Sequence, residues 1–171
     1  MTFRQLVIQF IRSTGGMIAV VTLCTVWLRI QCFDFGMKDL YIVPSVVLAW
    51  IPLEYFFHRY LMHEWILTPF RKTHDRHHDN PCPETGLPDT WVVVMYCLIS
   101  LVSLFTTSGI CTGWTTVLCM LLWYEFAHYA CHTSYKPNTW WGWCIRANHL
   151  QHHSNLPHRY ALLFPIFKEH K

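Results

Sequence analysis

Histidine is the residue type in this sequence that could do the most chemistry, since 12 of the 171 residues are histidine. Ten of the twelve form four short clusters with the spacings HxxxxH, HxxHH, HxxxH and HxxHH. In chain order, the clusters are His58 and His63; His74, His77 and His78; His128 and His132; and His149, His152 and His153. On an α-helix, positions i, i+3 and i+4 share one face, so each HxxHH motif is expected to direct three imidazoles towards a single point.

The two shorter clusters differ in how well a helix would align them. His128 and His132 are four residues apart and share a helical face. His58 and His63 are five residues apart, so we expect the second ring to come round only if the helix ends near His63.

These clusters favour a metal centre. Neutral imidazole is a common ligand for Fe, Zn, Cu and Ni. One ion takes about four to six ligands, so ten imidazoles fit two ions better than one. A single histidine would more often be an interfacial or hydrogen-bonded ring, and it is the repetition of the motif that points to metal. The expected site residues are these ten ligands, with no further catalytic residue.

Three carboxylates stand close to the histidines along the chain. Glu54 comes four residues before His58, Glu125 three before His128, and Asp75 three before His78. Each could accept the second ring N–H of a ligand and so fix its orientation, as is common in metal sites. Direct metal ligation and an ordinary charge pair are the alternatives.

The composition indicates the environment of these clusters. Hydrophobic residues make up 53% of the chain and charged residues 13%, against ~25% charged residues in soluble domains. Such a chain is not a disordered coil, and a net charge of +3 without a run of basic residues gives no sign of nucleic-acid binding. No CxxC pair occurs, which excludes a zinc ribbon and a thioredoxin-type site. We therefore expect a single membrane-embedded domain over residues 1–171.

The apolar segments predict an all-α integral membrane protein with four transmembrane helices in two hairpins. Residues 1–12 predict an amphipathic helix in the membrane interface. The first hairpin covers residues 13–57, with spans at 13–28 and 40–57. Residues 90–124 carry no formal charge, and Gly109 and Gly113 are expected to divide the second hairpin, residues 90–127, into two short helices. A soluble helical bundle is the alternative, but it seldom holds so long an uncharged run.

An even number of spans places all four histidine clusters on one face of the membrane. The cytosolic histidine segment is then residues 58–89 and the histidine-rich tail residues 128–171, which together form a helical cap. Eleven of the 13 lysines and arginines fall on that face, whereas Arg29 and Lys38 fall on the other. The positive-inside rule makes the histidine face cytoplasmic, in a bacterial inner membrane or the endoplasmic reticulum.

The order of the four motifs resembles the fatty acid hydroxylase and sterol desaturase superfamily of integral-membrane di-iron proteins, and in particular its short bacterial-type members. The matching segments are residues 54–63, 73–81, 124–132 and 148–153, and the resemblance runs from about residue 40 to residue 164. It implies a four-helix membrane fold under a cytosolic histidine cap. It also implies two iron ions, which zinc can replace in a purified sample, and O2-dependent oxidation of a lipid C–H bond.

The resemblance further implies electrons from an external carrier such as cytochrome b5 or ferredoxin. The chain has no GxGxxG motif for a flavin or nicotinamide nucleotide, so we expect the donor to be a separate partner. The donor would dock on the basic cytoplasmic face. The lipid would enter between the helices, with Trp91, Trp123 or Phe126 as channel wall. Trp140, Trp141 and Trp143 are typical of an interfacial anchor.

The sequence departs from the family pattern after the last HxxHH motif. Relatives continue into a Phe-Gly-Val-Thr-like stretch, whereas residues 158–165 here read HRYALLFP. We therefore expect the cover over the metal site to be missing or supplied by other residues. His158 is a candidate eleventh ligand or a ring beside a ligand, and His170 is expected to be a solvated tail residue.

The substrate is left open between a fatty acyl chain and a sterol-like lipid, and the reaction between hydroxylation and desaturation. A carotenoid hydroxylase is a second possibility, and a non-catalytic membrane protein that binds or transports metal is a third. A transporter would place its ionisable residues near the middle of the bilayer, where these spans carry few. A membrane cytochrome b would place single histidines within its spans rather than HxxHH at helix ends.

Overall fold

The computed structural model describes residues 1–64, 69–154 and 159–164, and within these ranges the protein is all-α, as predicted. The seven α-helices are α1 (Phe3–Arg12), α2 (Thr14–Cys32), α3 (Met37–Phe56), α4 (Pro69–Asp79), α5 (Thr90–Leu104), α6 (Ser108–Cys131) and α7 (Trp140–His153). A π-helix over Phe57–Glu64 continues α3, and a 3-10 turn over Glu84–Gly86 precedes α5. No β-strand occurs in the described ranges.

Three helices are long and apolar enough to cross a membrane: α2, α6, and α3 together with its π-helical continuation, Met37–Glu64. The fourth candidate, α5, is apolar but has only 15 residues. At about 1.5 Å per residue it extends ~22 Å, less than the ~30 Å thickness of a hydrocarbon core. The described residues therefore contain three candidate spanning helices and one shorter apolar helix, a pattern that indicates a membrane protein.

The break within the second hairpin lies earlier in the chain than predicted. Helix α5 ends at Leu104 and α6 begins at Ser108, so the turn is formed by residues 105–107. The Thr107 hydroxyl accepts a hydrogen bond from the Ile110 N–H (3.4 Å) and so caps α6. A hydroxyl can satisfy the free N–H groups at a helix start, which glycine cannot do. The prediction that Gly109 and Gly113 form the break is therefore wrong.

Those two glycines instead lie inside α6, where they face α3. A Cβ atom at Gly109 would stand 3.2 Å from Cδ1 of Ile42, and one at Gly113 would stand 3.9 Å from its Cγ2. The absence of side chains at these positions leaves room for Ile42 between the helices. The glycines thus serve helix packing rather than a turn.

Helices α2 and α3 extend past the predicted span ends and bury an ion pair at the end of the bundle away from the histidines. Arg29 and Asp39 lie 2.8 Å apart, with side chains 8% and 5% exposed. The Arg29 guanidinium also donates to the Thr112 hydroxyl (2.8 Å) and to the Phe33 carbonyl (2.8 Å). This ion pair therefore ties the α2–α3 turn to α6.

Helix α1 packs partly on protein. Leu6 and Phe10 are buried beside Leu87 and Tyr129, and the Phe10 ring meets the Tyr129 ring edge-on at 5.5 Å between centroids. Phe3 on the same helix is 56% exposed. The buried stripe anchors α1 to the histidine end of α6, and its contact with the membrane interface stays a prediction.

Replacing Asp39 with Ala leaves the Arg29 guanidinium buried without its carboxylate. We expect this to lower the free energy of unfolding by about 3–5 kcal/mol, as for other broken buried ion pairs. Thermal unfolding in detergent measures the change, with the exposed Asp34→Ala as control. The double variant Arg29→Leu/Asp39→Leu should regain much of the loss, and a double variant no more stable than Asp39→Ala would contradict this account.

Candidate metal centre

All ten clustered histidines meet at one end of the bundle. The first group, called group A, consists of His77, His128, His132, His149 and His153. The second, group B, consists of His58, His63, His74 and His152. Within each group one ring nitrogen of every histidine lies within 4.8 Å of the others, so that each group could hold a metal ion.

His78 lies between the two groups. Its Nε2 atom is 3.0 Å from Nε2 of His74 and 3.1 Å from Nε2 of His152, both in group B. Its ring stacks on the ring of His153 in group A, with 4.2 Å between centroids. By its nitrogen contacts it supplements group B, so each group can draw on five imidazoles.

The two HxxHH motifs divide their histidines between the groups instead of directing all three to one point. In α4, His74 belongs to group B and His78 contacts it, while His77 belongs to group A. In α7 the reverse holds, since positions i and i+4 join group A and position i+3 joins group B. Each residue turns an α-helix by ~100°, so i and i+4 diverge by only ~40° whereas i+3 and i+4 diverge by ~100°. The prediction of a single point per motif is therefore wrong.

The HxxxxH cluster is aligned by a change of helix type. His58 and His63 lie in the π-helix Phe57–Glu64, whose hydrogen bonds run from residue i to i+5. That pattern matches a spacing of five, and the two rings stack with 5.2 Å between centroids and 29° between planes. The wider turn of the π-helix accounts for the alignment of the two rings.

The distances between ring nitrogens fit ligands around a cation better than a hydrogen-bond network. Nε2 of His74 lies 3.1 Å from that of His58, 2.9 Å from that of His63 and 3.0 Å from that of His78. An imidazole nitrogen carries one proton or one lone pair, so it cannot make three N–H···N bonds. Adjacent ligands at right angles, ~2.1 Å from an ion, would stand about 3.0 Å apart.

The ring nitrogens of group A also fit metal ligands better than a hydrogen-bond network. Nε2 of His132 lies 3.0 Å from that of His77 and 2.7 Å from that of His149. Nε2 of His128 is buried and has no hydrogen-bond partner within the described part of the chain. Buried polar atoms are normally satisfied, so an unsatisfied nitrogen among four other imidazoles fits a metal ligand.

Two of the outer ring nitrogens are held by a main-chain carbonyl and a hydroxyl group, whereas Nδ1 of His152 and Nδ1 of His153 are buried without a partner in the described ranges. Nδ1 of His58 donates to the Tyr160 carbonyl (2.6 Å). Nδ1 of His77 lies 3.1 Å from the Thr85 hydroxyl, which must accept because its own proton goes to the Asn80 carbonyl (2.7 Å). A protonated Nδ1 leaves the lone pair on Nε2, the atom that faces the group.

The segment 80–86 supports group A in other ways. The main chain at Pro81 hydrogen-bonds the ring of His132. Gly86 approaches two histidines of group A so closely that a Cβ atom there would stand 2.6 Å from Cε1 of His128 and 3.0 Å from Cε1 of His77. Sequence reasoning missed this role, although a glycine close to a dense histidine cluster was the available signal.

Of the three carboxylates, only Glu54 has partners other than those predicted. Glu54 accepts hydrogen bonds from the main-chain N–H groups of Leu162 and Leu163, and from the Trp50 indole (2.9 Å). Asp75 lies 3.4 Å from the Arg71 guanidinium, which fits the charge-pair alternative. Oε2 of Glu125 is buried and has no partner in the described ranges.

The remaining predicted residues are placed as follows. Phe126 packs against the rings of Phe3 and Phe10 of α1, with centroid distances of 6.1 and 5.2 Å, rather than lining an open channel. Trp91 and Trp123 are partly exposed on the outside of the helices, and Trp140 and Trp143 are exposed as well. His158 and His170 lie outside the described residues.

Burial keeps these imidazoles in the form that binds metal. Burial, and then repulsion from His132, lowers the pKa of His77 to about 3. Burial, and then His78, lowers the pKa of His153 to about 3, and burial followed by Arg146 lowers the pKa of His132 to about 4. The rings are therefore neutral at physiological pH, with lone pairs available.

Replacing Gly86 with Ala should push His128 and His77 out of place. We expect the affinity of group A for Zn²⁺ or Co²⁺ to fall about 10- to 100-fold, the usual effect of disturbing the support of a ligand. Metal titration of the purified chain measures this. Gly113→Ala, where the nearest atom is 3.9 Å away, is the matched control. Equal affinities in the two variants would contradict the proposed support.

The lowered pKa values also predict how stability depends on pH. Below about pH 6.5 the unfolded chain takes up protons on its histidines, whereas the folded rings of His77, His132 and His153 stay neutral until about pH 3 to 4. Stability of the metal-free chain should therefore fall as the pH decreases from about 7 to about 5. Melting temperatures in a chelator measure this, and His153→Gln should weaken the dependence. A melting temperature that does not change over this range would refute the prediction.

Comparison with known families agrees with this geometry. The family model described as fatty acid hydroxylase matches residues 43–169, which include all four histidine clusters. No curated protein and no solved structure gives a significant match. The family match confirms the resemblance predicted from the motifs, and it covers well over half of the 171 residues. The chain belongs to the fatty acid hydroxylase family.

Proposed function

We propose that this chain is an O2-dependent di-iron oxidoreductase that hydroxylates or desaturates a C–H bond of a membrane lipid, either a fatty acyl chain or a sterol-like substrate. The observation that carries the proposal is the division of the clustered histidines into two adjacent groups with converging nitrogens. The proposed ligands are His58, His63, His74, His77, His78, His128, His132, His149, His152 and His153.

The donor set suits iron in an oxidising role. Imidazoles are neutral ligands, so two metal ions bound by them keep their positive charge. Coordination positions not taken by histidine are available to O2. Two bound irons would supply the activation of O2 and the removal of a hydrogen atom from an alkyl chain. The close contact of His78 with both groups fits two ions acting together.

The protein's part is to hold the ligands and to bring an alkyl chain to them. The Tyr160 carbonyl and the Thr85 hydroxyl fix ring orientation, and burial of His77 and His149 (1% and 2% exposed) limits access of water. Groups A and B stand at the ends of apolar helices that extend into the bilayer. A lipid tail can therefore reach the histidines without leaving an apolar environment.

The membrane arrangement that we propose keeps four spans, with α5 as the fourth. Its start is tied to the histidine end, because Asp89 accepts hydrogen bonds from Thr73 (2.7 Å) and Arg76 (3.0 Å) of α4. Its other end turns directly into α6. Local thinning of the bilayer, or flanking polar residues that reach the membrane surface, would accommodate the short length of α5. The positive-inside rule supports a cytoplasmic histidine face.

An external electron donor of the cytochrome b5 or ferredoxin type completes the proposal, docking on the histidine face. Arg59 and Arg76 on that face pair with the neighbouring carboxylates of Glu64 (2.7 Å) and Asp89 (3.0 Å). Attraction of an acidic carrier would therefore depend on arginines and lysines outside these two pairs and the Arg71–Asp75 pair, since a paired charge contributes less to the long-range field.

Lipid extracts from cells with and without the chain test the function. We expect a lipid that gains one oxygen atom if the reaction is hydroxylation, or one that loses two hydrogen atoms if it is desaturation. Purified protein should contain two irons, and His77→Ala and His152→Ala should abolish the product and lower the iron content. His170→Ala, at a position expected to lie outside the site, is the control.

The same experiment separates the alternatives. Bound iron with no change in the lipids would favour a non-catalytic metal-binding protein. A modified carotenoid would favour a carotenoid hydroxylase. Full lipid oxidation in His77→Ala and His152→Ala would refute the assignment of the histidines.

A further inference from the structure

The described C-terminal segment, residues 159–164, lies against group B, and we call it the strap. It is not helical, yet Tyr160, Ala161, Leu162 and Leu163 are 7%, 2%, 1% and 0% exposed. An irregular segment can be buried only if its main-chain polar groups find partners inside the protein. The partners of the strap therefore show what holds it.

Two buried side chains from different helices hold the strap. Glu54 of α3 accepts hydrogen bonds from the N–H groups of Leu162 and Leu163, the second at 2.9 Å. Asn148 of α7 donates its amide N–H to the Ala161 carbonyl at 2.6 Å. Burying a carboxylate is costly without hydrogen bonds, and these N–H groups together with the Trp50 indole offset that cost. Glu54 is thus committed to the strap and does not contact the metal ligands itself.

The strap in turn contacts three members of group B. The Tyr160 carbonyl accepts the Nδ1–H of His58 at 2.6 Å. The Tyr160 ring lies against the rings of His58, His63 and His152, with centroid distances of 5.7, 5.2 and 5.5 Å. A chain of direct contacts therefore leads from Glu54 through the strap to group B.

Group A has a separate support. Its histidines are held by segment 80–86, through the Thr85 hydroxyl, the Pro81 main chain and the close approach of Gly86. The two groups thus depend on two different segments of the chain, although their histidines are interleaved on α4 and α7.

We propose that Glu54 is a positioning residue for the second metal ion. By fixing the strap it keeps the Tyr160 carbonyl on His58, which holds that ring in the Nδ1–H form with the Nε2 lone pair facing group B. Loss of Glu54 should therefore weaken binding at group B and leave group A intact. This inference rests on the proposed function, because it requires each group to bind a metal ion.

The test is a count of bound metal in the full-length chain, purified in detergent and titrated anaerobically with Co²⁺. The wild-type chain should bind two ions. Glu54→Ala should bind one with unchanged affinity and the second about 10- to 100-fold more weakly. Glu54→Gln combined with Trp50→Phe should restore two tight sites, because the amide oxygen can accept both strap N–H groups and no indole N–H then faces the amide NH2 group. The visible absorption bands of Co²⁺ report the ligands of each site. A general loss of stability would not change the bands of one site and leave those of the other unchanged.

Double variants identify the group that is affected. His63→Ala removes a ligand of group B, so adding Glu54→Ala should cause no further loss of metal. His77→Ala removes a ligand of group A, so adding Glu54→Ala should leave no tight site. Thr85→Ala is the matched control for the other support, and combining it with Glu54→Ala should weaken both sites.

Each contrary result has a distinct meaning. Two tight sites in Glu54→Ala would overturn the inference and leave the proposed function standing. The same would follow if Glu54→Ala further reduced binding in the His63→Ala background, because its effect would then reach group A. A wild-type chain that binds no metal would refute the proposed function, and the inference with it.

Discussion

The structure depends on the burial of many neutral imidazoles in a small volume at one end of an apolar bundle. Each ring brings one proton and one lone pair, and both need a partner once water is removed. For His58 and His77 the proton on the outer nitrogen goes to the Tyr160 carbonyl and the Thr85 hydroxyl. The lone pairs that remain face one another, which is unfavourable unless a cation lies among them. Segments 80–86 and 159–164 supply these acceptors, the first through a side-chain hydroxyl and the second through a main-chain carbonyl.

Helix geometry decides how the lone pairs are shared. The three histidines of an HxxHH motif on an α-helix do not all point in the same direction. Two such motifs whose histidines meet therefore form two groups rather than one. Helix α4 gives its i+3 histidine to group A, and α7 gives its i+3 histidine to group B. The π-helix at Phe57–Glu64 brings residues five apart onto one face, as an α-helix does for residues four apart. Backbone geometry therefore accounts for the pairing of each histidine with its group.

Much of this could be predicted from the sequence, because the histidine spacings and the apolar segments are local signals. The helical class and the meeting of the ten histidines follow from them. The division into two groups does not, because it depends on where the fold places α4 relative to α7. Nor does the role of Glu54, whose partners Leu162 and Leu163 are more than 100 residues away. The position of the α5–α6 turn does not follow from composition, because the hydroxyl cap at Thr107, and not the glycines, determines where α6 begins.

The two supports differ in how far along the chain they act, and this makes the two groups unequal. Thr85 lies eight residues from His77, so this part of the support of group A is formed within one short stretch between α4 and α5. His58 receives its hydrogen bond from Tyr160, 102 residues later. Group B can therefore be complete only when the C-terminal strap has folded back onto α3, whereas the hydrogen bond to His77 needs no such return. Closing a long loop costs more conformational entropy than closing a short one, and the buried contacts of Glu54 and Asn148 with the strap offset that cost.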